Sequence, residues 1–241
     1  MSSQPTQSKT IRAQLLTAMR DGEYAGCDRL PRESVLSEML GISRTQLRDT
    51  LSELEREGYI TRRHGVGTCI NRHVLAVKNR MDIEAEFFEI IRSFGYTPDV
   101  IILSLEESDA DAVAAEKLGI PLGAPVLRRC SVCTADDVPV IWWEDVLNRA
   151  LVIKPFEQSD MRRLIFDFLQ EFCGVSAYMD LAELHPVVAN EAASKALKVP
   201  VGTPLLNMKE IDFDIEGNPI FYSDQYFTDG MISHTVLRKK L

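Results

Sequence analysis

The feature that most restricts how this chain can fold is a repeat. The run Ala115-Glu-Lys-Leu118-Gly-Ile-Pro121-Leu-Gly123-Ala-Pro125-Val-Leu127 returns as Ser194-Lys-Ala-Leu197-Lys-Val-Pro200-Val-Gly202-Thr-Pro204-Leu-Leu206. Each copy continues into a strand-like segment, an acidic turn (Ala135-Asp-Asp137 or Glu216-Gly-Asn218), a proline (Pro139 or Pro219) and a second strand-like segment. Each half therefore reads helix, loop, β-hairpin. Two such halves that pair their hairpins make one mainly antiparallel sheet with helices on a face, an α+β domain. Two copies are too few for a solenoid. Ahead of the first copy, Ile83, Phe87, Phe88, Ile90 and Ile91 predict a helix over 82–94. A strand over 98–105 and a helix over 109–118 follow.

Charge separates this body from the residues before it. Residues 1–75 carry 11 Lys and Arg against 9 Asp and Glu, a net of +2. The remainder carries 16 against 27, a net of -11. A near-neutral head with clustered arginines on a strongly acidic body implies two modules with different partners. No run approaches the roughly 18 apolar residues of a membrane span, and the polar start lacks the apolar core of a secretory signal. The first residues read as a frayed tail. Five cysteines without a signal point to a reducing cytoplasm and free thiols. Cys130-Ser-Val-Cys133 has metal-site spacing, but on a strand residues three apart point to opposite faces. No second cysteine pair or histidine cluster completes a set, so no metal and no cofactor is expected.

The head is legible residue by residue. Ile11, Leu15, Leu16 and Met19 recur at helical spacing over 9–22. Pro31 and Glu33 open a second helix, whose buried side is expected to be Val35, Leu36, Met39 and Leu40, and Gly41 ends it. Ser43-Arg-Thr-Gln46 fits a capping box, and Leu47, Leu51 and Leu54 form one stripe behind it. Gly58 ends that helix. Tyr59 to Arg63 alternates as a strand, His64-Gly65-Val66-Gly67 turns, and Thr68 to Ile70 returns. The order is that of a winged helix-turn-helix. The N-terminus of its third helix, with Ser43, Arg44, Thr45, Gln46 and Arg48, can enter a major groove and reach base edges. A wing with Arg62, Arg63 and His64 can grip phosphates, and Gly65 and Gly67 let its backbone come close to a duplex. Arg44 and Arg48 could equally be a solvated helix face beside Asp49 and Glu53, and a winged helix can bind protein instead of DNA. The capping box, the two-helix lead-in and the basic turn together favour double-stranded DNA.

Residues 11–70 resemble the DNA-binding domain of the GntR family of bacterial transcription regulators. The matching residues are Leu30-Pro31, Leu36, Gly41-Ile42-Ser43-Arg44, Arg48, Leu51, Leu54, Glu57-Gly58 and Gly65-x-Gly67-Thr68. The resemblance implies DNA contacts from Arg44, Thr45, Arg48 and Gly65. The family's usual serine cap after Leu-Pro is here Arg32, which stands where it can substitute for a missing contact. Residues 76–241 resemble the ligand-sensing UTRA domain of the HutC branch, on the Leu-x-x-Pro-x-Gly-x-Pro pair and on Tyr222-Ser223-x-x-Tyr226. That resemblance implies a chorismate-lyase-like fold. It leaves open an enzyme on the same fold, although no nucleophile–base set or phosphate loop is visible.

The expected organisation is a winged head over 1–71, a linker over 72–80 and an effector-binding, dimerising domain over 81–241. The expected function is a cytoplasmic homodimeric repressor released from a palindromic operator by a small molecule. Sugar-phosphate sensors of this branch often carry an arginine where Ser131 stands and glutamates near Trp143 and Phe221. Their absence points to a less polar pocket, using Trp142 or Trp143 with Tyr222 or Tyr226. Arg129 would meet an anion, with Ser131 and Glu144 close by. Strand alternation lets only one of the two tryptophans face that pocket.

Overall fold

The computed structural model describes residues 7–83, 85–162 and 165–240. It divides into two compact units, one taking the chain up to Glu84 together with His234–Leu241, the other being Ala85–Ser233. The first few residues, expected as a tail, lie outside the described part.

In the first unit α1 (Gln7–Arg20), α2 (Glu33–Met39) and α3 (Arg44–Arg56) precede an antiparallel ribbon of β1 (Ile60–Arg63) and β2 (Gly67–Ile70). The apolar stripes dictated by spacing meet in one core: Ile11, Leu15, Leu16 and Met19 with Leu47, Leu51 and Leu54, closed by Leu36, Tyr59, Ile60 and Ile70. Helix α2 buries less than its sequence suggests. Leu36 and Ser37 are buried, while Val35 and Met39 are exposed and Leu40 is half-buried. Two turns offer the core a single row, and Leu36 with Ser37 fills it.

The expected linker over 72–80 is part of this unit. A short helix, α4 (Arg72–Leu75), adds Val74 and Leu75 to the same core. Asn79 and Arg80 are buried. The Arg72 guanidinium donates to the carbonyls of Met19, Tyr24 and Cys27. A polar, basic composition reads as solvated linker, but here the arginines satisfy backbone carbonyls inside the head, where an unpaired carbonyl would be costly. The end of the chain, expected in the second unit, also belongs to the first.

The second unit holds α5 (Phe87–Ser93), β3 (Pro98–Asp109), α6 (Ala112–Leu118), β4 (Pro125–Ala135) and β5 (Val138–Asn148). After a helical stretch containing α7 (Ile165–Phe168) come β6 (Met179–Val188), α8 (Glu191–Leu197), β7 (Pro204–Phe213) and β8 (Pro219–Phe227). The six strands lie in the order β3-β4-β5-β8-β7-β6, every pair antiparallel. That order is the same from either edge when the halves are exchanged. Equivalent residues cap the equivalent helices: Asp111 accepts from the Ala114 N–H at 2.8 Å, and Asn190 accepts from the Ala193 N–H at 2.9 Å. The Asp111 cap starts α6 later than the expected 109. Strand β3 runs to Asp109 instead of 105, and α5 is shorter than the expected 82–94.

Register assigns each side chain to a face, because directly opposed residues point the same way. One face carries Ser131, Arg129 and Leu127 of β4, Ile141, Trp143, Asp145 and Leu147 of β5, and Phe221, Ser223, Gln225 and Phe227 of β8. It is covered by Phe87 and Ile91 of α5 at one end and by Met161, Phe168, Leu169 and Phe172 at the other. The opposite face carries Cys130, Trp142, Glu144, Val146, Tyr222, Asp224 and Tyr226. Helices α6 and α8 cover that side with Ala114, Leu118, Ala193 and Leu197. Cys130 and Cys133 take opposite faces, as alternation requires.

Candidate functional site

The N-terminus of α3 is built before anything binds to it. The Ser43 side chain accepts from the Gln46 backbone N–H at 3.2 Å, and the Gln46 side-chain carbonyl accepts from the Ser43 N–H at 3.0 Å. This reciprocal box fixes the first turn and ties up the Gln46 oxygen. Arg44 and Thr45 then stand exposed on that turn, and Arg48 on the next. Arg48 Nε lies 3.9 Å from Glu33 Oε2, with its side chain 68% exposed, an arrangement worth little in water. Arg32 is exposed at the start of α2 in extended conformation and makes no cap hydrogen bond.

The wing divides its cations between bracing and display. The Arg62 guanidinium meets Glu55 Oε2 at 2.7 Å and the Ser52 hydroxyl at 3.0 Å, while its backbone N–H donates to Glu55 Oε1 at 2.7 Å. Sequence placed Arg62 among the phosphate-gripping residues; the structure turns it back onto α3, where it fastens the wing. Arg63 and His64 are exposed at the tip with Gly65 and Gly67, both at positive φ. One cation escaped sequence reasoning. Residues 28–30 run alongside β2, and Arg29 donates to the Val66 carbonyl at 3.3 Å. Its only signal was a position just ahead of Leu30-Pro31, within a turn-rich stretch.

Burial alone would raise the Glu55 carboxyl, but the Arg62 hydrogen bonds and charge, with Lys239, hold it below the ordinary range. Asp82 is held low in the same way, against its burial, by Arg80 and the Leu237 N–H. A depressed folded value adds stability that is present above the unfolded value and disappears as pH falls through the folded one. The head should therefore lose thermal stability on acidification from about pH 5 to about pH 3. Circular-dichroism melts should show that loss shrinking in Glu55→Gln.

The residues expected to form one effector pocket fall on both faces of the sheet. Arg129, Ser131 and Trp143 share the face under α5; Glu144, Tyr222 and Tyr226 share the face under α6 and α8. Arg129 is buried, meets Asp145 Oδ2 through Nε at 2.9 Å and donates to the Met161 carbonyl at 2.9 Å. Trp143 donates to the same Asp145 oxygen at 2.9 Å and packs edge-on against Phe87 at 5.3 Å. Arg129, expected to meet an anion, is thus already paired with a carboxylate of its own strand neighbour. Trp142 stacks on Tyr226, with ring centroids 4.8 Å apart, and its indole N–H lies 3.0 Å from Cys130 Sγ. Burial, with Asp224 beside it, pushes the Tyr226 hydroxyl up to about 12. Tyr222 packs under α6 with Lys117 Nζ 4.6 Å from its ring centroid.

Of the polar centre of the first face, sequence named Ser131 but missed Ser223 and Gln225. Along β5 the positions read Ile141, Trp143, Asp145, Leu147; along β8 they read Phe221, Ser223, Gln225, Phe227. Polar groups sit in the middle and apolar groups at both ends. The Ser131 and Ser223 hydroxyls and Gln225 Oε1 are buried without a hydrogen-bond partner among the described residues. Such groups are costly unless something else satisfies them. The alternation of polar residues within these two otherwise apolar strands was the available signal. Among the described residues no cluster of His, Cys, Asp and Glu could hold a metal ion, and no helix is long and apolar enough to cross a membrane.

Comparisons with known proteins agree with both units. Residues 7–70 match the model of the bacterial regulatory proteins of the gntR family, and residues 93–229 match the UTRA domain. The chain is 24% identical over 235 residues to the "Probable fructoselysine utilization operon transcriptional repressor" of Shigella flexneri, covering 96% of this chain and 94% of that one. It is 27% identical over 177 residues to the histidine utilization repressor of Klebsiella aerogenes, covering 73% and 72%. The crystal structure of the possible transcriptional regulator YydK of Bacillus subtilis shares the fold, with a TM-score of 0.80 at 18% identity over 96% of this chain and 99% of that one. With a capped, arginine-bearing helix and a basic wing in one unit and a duplicated antiparallel sheet in the other, the chain belongs to the GntR family of DNA-binding transcription regulators, in its UTRA-bearing, HutC-like branch, and is not an enzyme.

Proposed function

We propose that the protein is a cytoplasmic, dimeric repressor whose two heads read the half-sites of a palindromic operator and leave it when the UTRA unit takes up a small polar metabolite. The observation that carries the DNA reading is the exposed trio Arg44, Thr45 and Arg48 on the first two turns of a helix whose Ser43 and Gln46 amides are already paired by the capping box. Among the described residues Arg48 has only a loose, exposed contact with Glu33, so the placement of these arginines suits bases and phosphates. Arg63, His64 and Arg29 at the wing add sequence-independent grip. Arg44→Ala and Arg48→Ala should each weaken binding to a duplex selected from a random-sequence pool by about 1–3 kcal/mol. Fluorescence anisotropy checks this, and unchanged affinity in both variants would remove α3 from the interface.

The ligand reading rests on the buried face. Ser131, Ser223 and Gln225 offer hydrogen bonds that the described residues do not complete. They suit a neutral, hydroxyl- or amide-bearing group better than a phosphate, since Arg129 already serves Asp145. The named repressors of fructoselysine and histidine utilization give the class of precedent, a catabolised metabolite. An orphaned hydroxyl weakens the empty protein. Ser223→Ala should therefore leave the ligand-free chain as stable or up to about 1 kcal/mol more stable, a gain typical where function holds stability down. Urea titration measures it, and a clear loss would mean the hydroxyl has a partner in the free protein.

Dimerisation is supported by the edge strand β6, which leaves Met179, Leu181, Leu184 and Val188 exposed. An edge with that much apolar surface invites a second copy of the same strand.

A further inference from the structure

The rear of α3 is held by the two segments that connect the head to the rest of the chain. On the way out, Arg80 donates to the Glu57 carbonyl at 2.6 Å while its guanidinium lies 5.1 Å from the Tyr59 ring centroid. On the way back, Thr235 pairs beside Arg80 and accepts from the Met81 N–H at 2.9 Å. The Leu237 N–H donates to Asp82 Oδ1 at 3.2 Å, and its side chain packs on the head's core. Lys239 Nζ then donates to the Glu55 carbonyl at 2.7 Å and reaches that of Arg56 at 3.4 Å. The last two carbonyls of α3, those of Glu55 and Arg56, and that of the cap residue Glu57 thus each receive a cationic donor. A helix end leaves such carbonyls unsatisfied and carries partial negative charge, so a lysine there both bonds and neutralises.

We propose that residues 234–240 are a working part of the DNA-binding head, a strap in which Leu237 and Lys239 position α3 so that its N-terminus reads bases in register. Helix α3 has 13 residues, a rigid rod of about 20 Å. A tilt allowed at its C-terminus is carried to Arg44 and Arg48 at the other end. Base-edge hydrogen bonds demand placement to within about half an ångström, whereas phosphate contacts tolerate more. Loss of the strap therefore removes sequence discrimination first and general affinity later. Because the strap follows the sheet unit in sequence, the chain passes between the two units twice.

The test measures a ratio. Full-length protein, Lys239→Ala, Leu237→Ser and a chain ending at Ser233 are titrated with a duplex selected from a random pool by the unaltered protein, and with a scrambled duplex of equal length. The specific-to-scrambled affinity ratio should fall about tenfold or more in the truncated chain. It should fall less in each single variant, and it should be kept in Lys239→Arg and in the control Val236→Ser, whose side chain is exposed. A variant that merely unfolds a fraction of its heads lowers both affinities equally, so the ratio is insensitive to misfolding; an unchanged ratio in the truncated chain overturns the proposal. A salt slope reduced by about one in Lys239→Ala would make Lys239 a phosphate contact instead of a positioning residue, and would overturn it equally.

Discussion

Arg129→Met is expected to destabilise the sheet unit by about 3–5 kcal/mol, the range found when one partner of a buried ion pair is removed. Arg129 and Asp145 are both almost fully inside, and Asp145 also accepts the Trp143 indole N–H. Without the guanidinium the carboxylate keeps only that neutral donor among the contacts described here, and the Met161 carbonyl loses its donor as well. Each orphaned group adds a desolvation cost. Met fills much of the same volume, so the loss reports charge and not a cavity. The paired variant Arg129→Met, Asp145→Leu should recover most of the stability, because removing both charges is far cheaper than stranding one. Urea unfolding followed by tryptophan fluorescence gives both values, with Trp143 adjacent to the change. A single-variant loss under about 1 kcal/mol would mean that water reaches the pair and screens it.

The same pair shows where the sequence was and was not readable. The repeat predicted one mainly antiparallel sheet built from two paired hairpins, and the structure adds a strand order that is symmetric under exchange of the halves, with both helix caps at equivalent positions. The capping box was read from Ser43 and Gln46 alone because its partners are local. Partners distant in sequence left no such mark. Arg129 looked like an anion receptor because nothing local shows that Asp145, on the neighbouring strand, already occupies it. The expected pocket left Trp142 or Trp143 open beside Glu144, Tyr222 and Tyr226, and only Trp142 shares their face. Only the β5–β8 register resolves which aromatic goes where. The stretch 72–80 looked like a linker because its arginines look solvated; their acceptors are carbonyls of Met19, Tyr24, Cys27 and Glu57, which composition cannot reveal. The closing strap is the extreme case, a contact between Gly58 and a residue near the far end of the chain.

That contact makes Gly58→Ala the second large effect, an expected loss of about 2–3 kcal/mol in the head. Gly58 follows α3 at φ 85°, a left-handed conformation that costs a residue with a Cβ about 1–2 kcal/mol. A Cβ there would also stand 2.7 Å from Leu237 Cδ2, so the leucine must withdraw from the core it packs against. Gly41, at φ 64°, has the same backbone requirement and nothing within 4 Å of an added Cβ. Gly41→Ala should therefore show the backbone cost alone, and the difference between the two variants isolates the leucine. In a Leu237→Ala background the added Cβ at Gly58 keeps only an ordinary contact with Lys239 Cδ at 3.9 Å, and its cost should fall close to that of Gly41→Ala. Thermal melts of the four chains close the cycle. If Gly58→Ala costs the same with and without the leucine side chain, Leu237 is not seated against the end of α3, and the strap loses its apolar anchor.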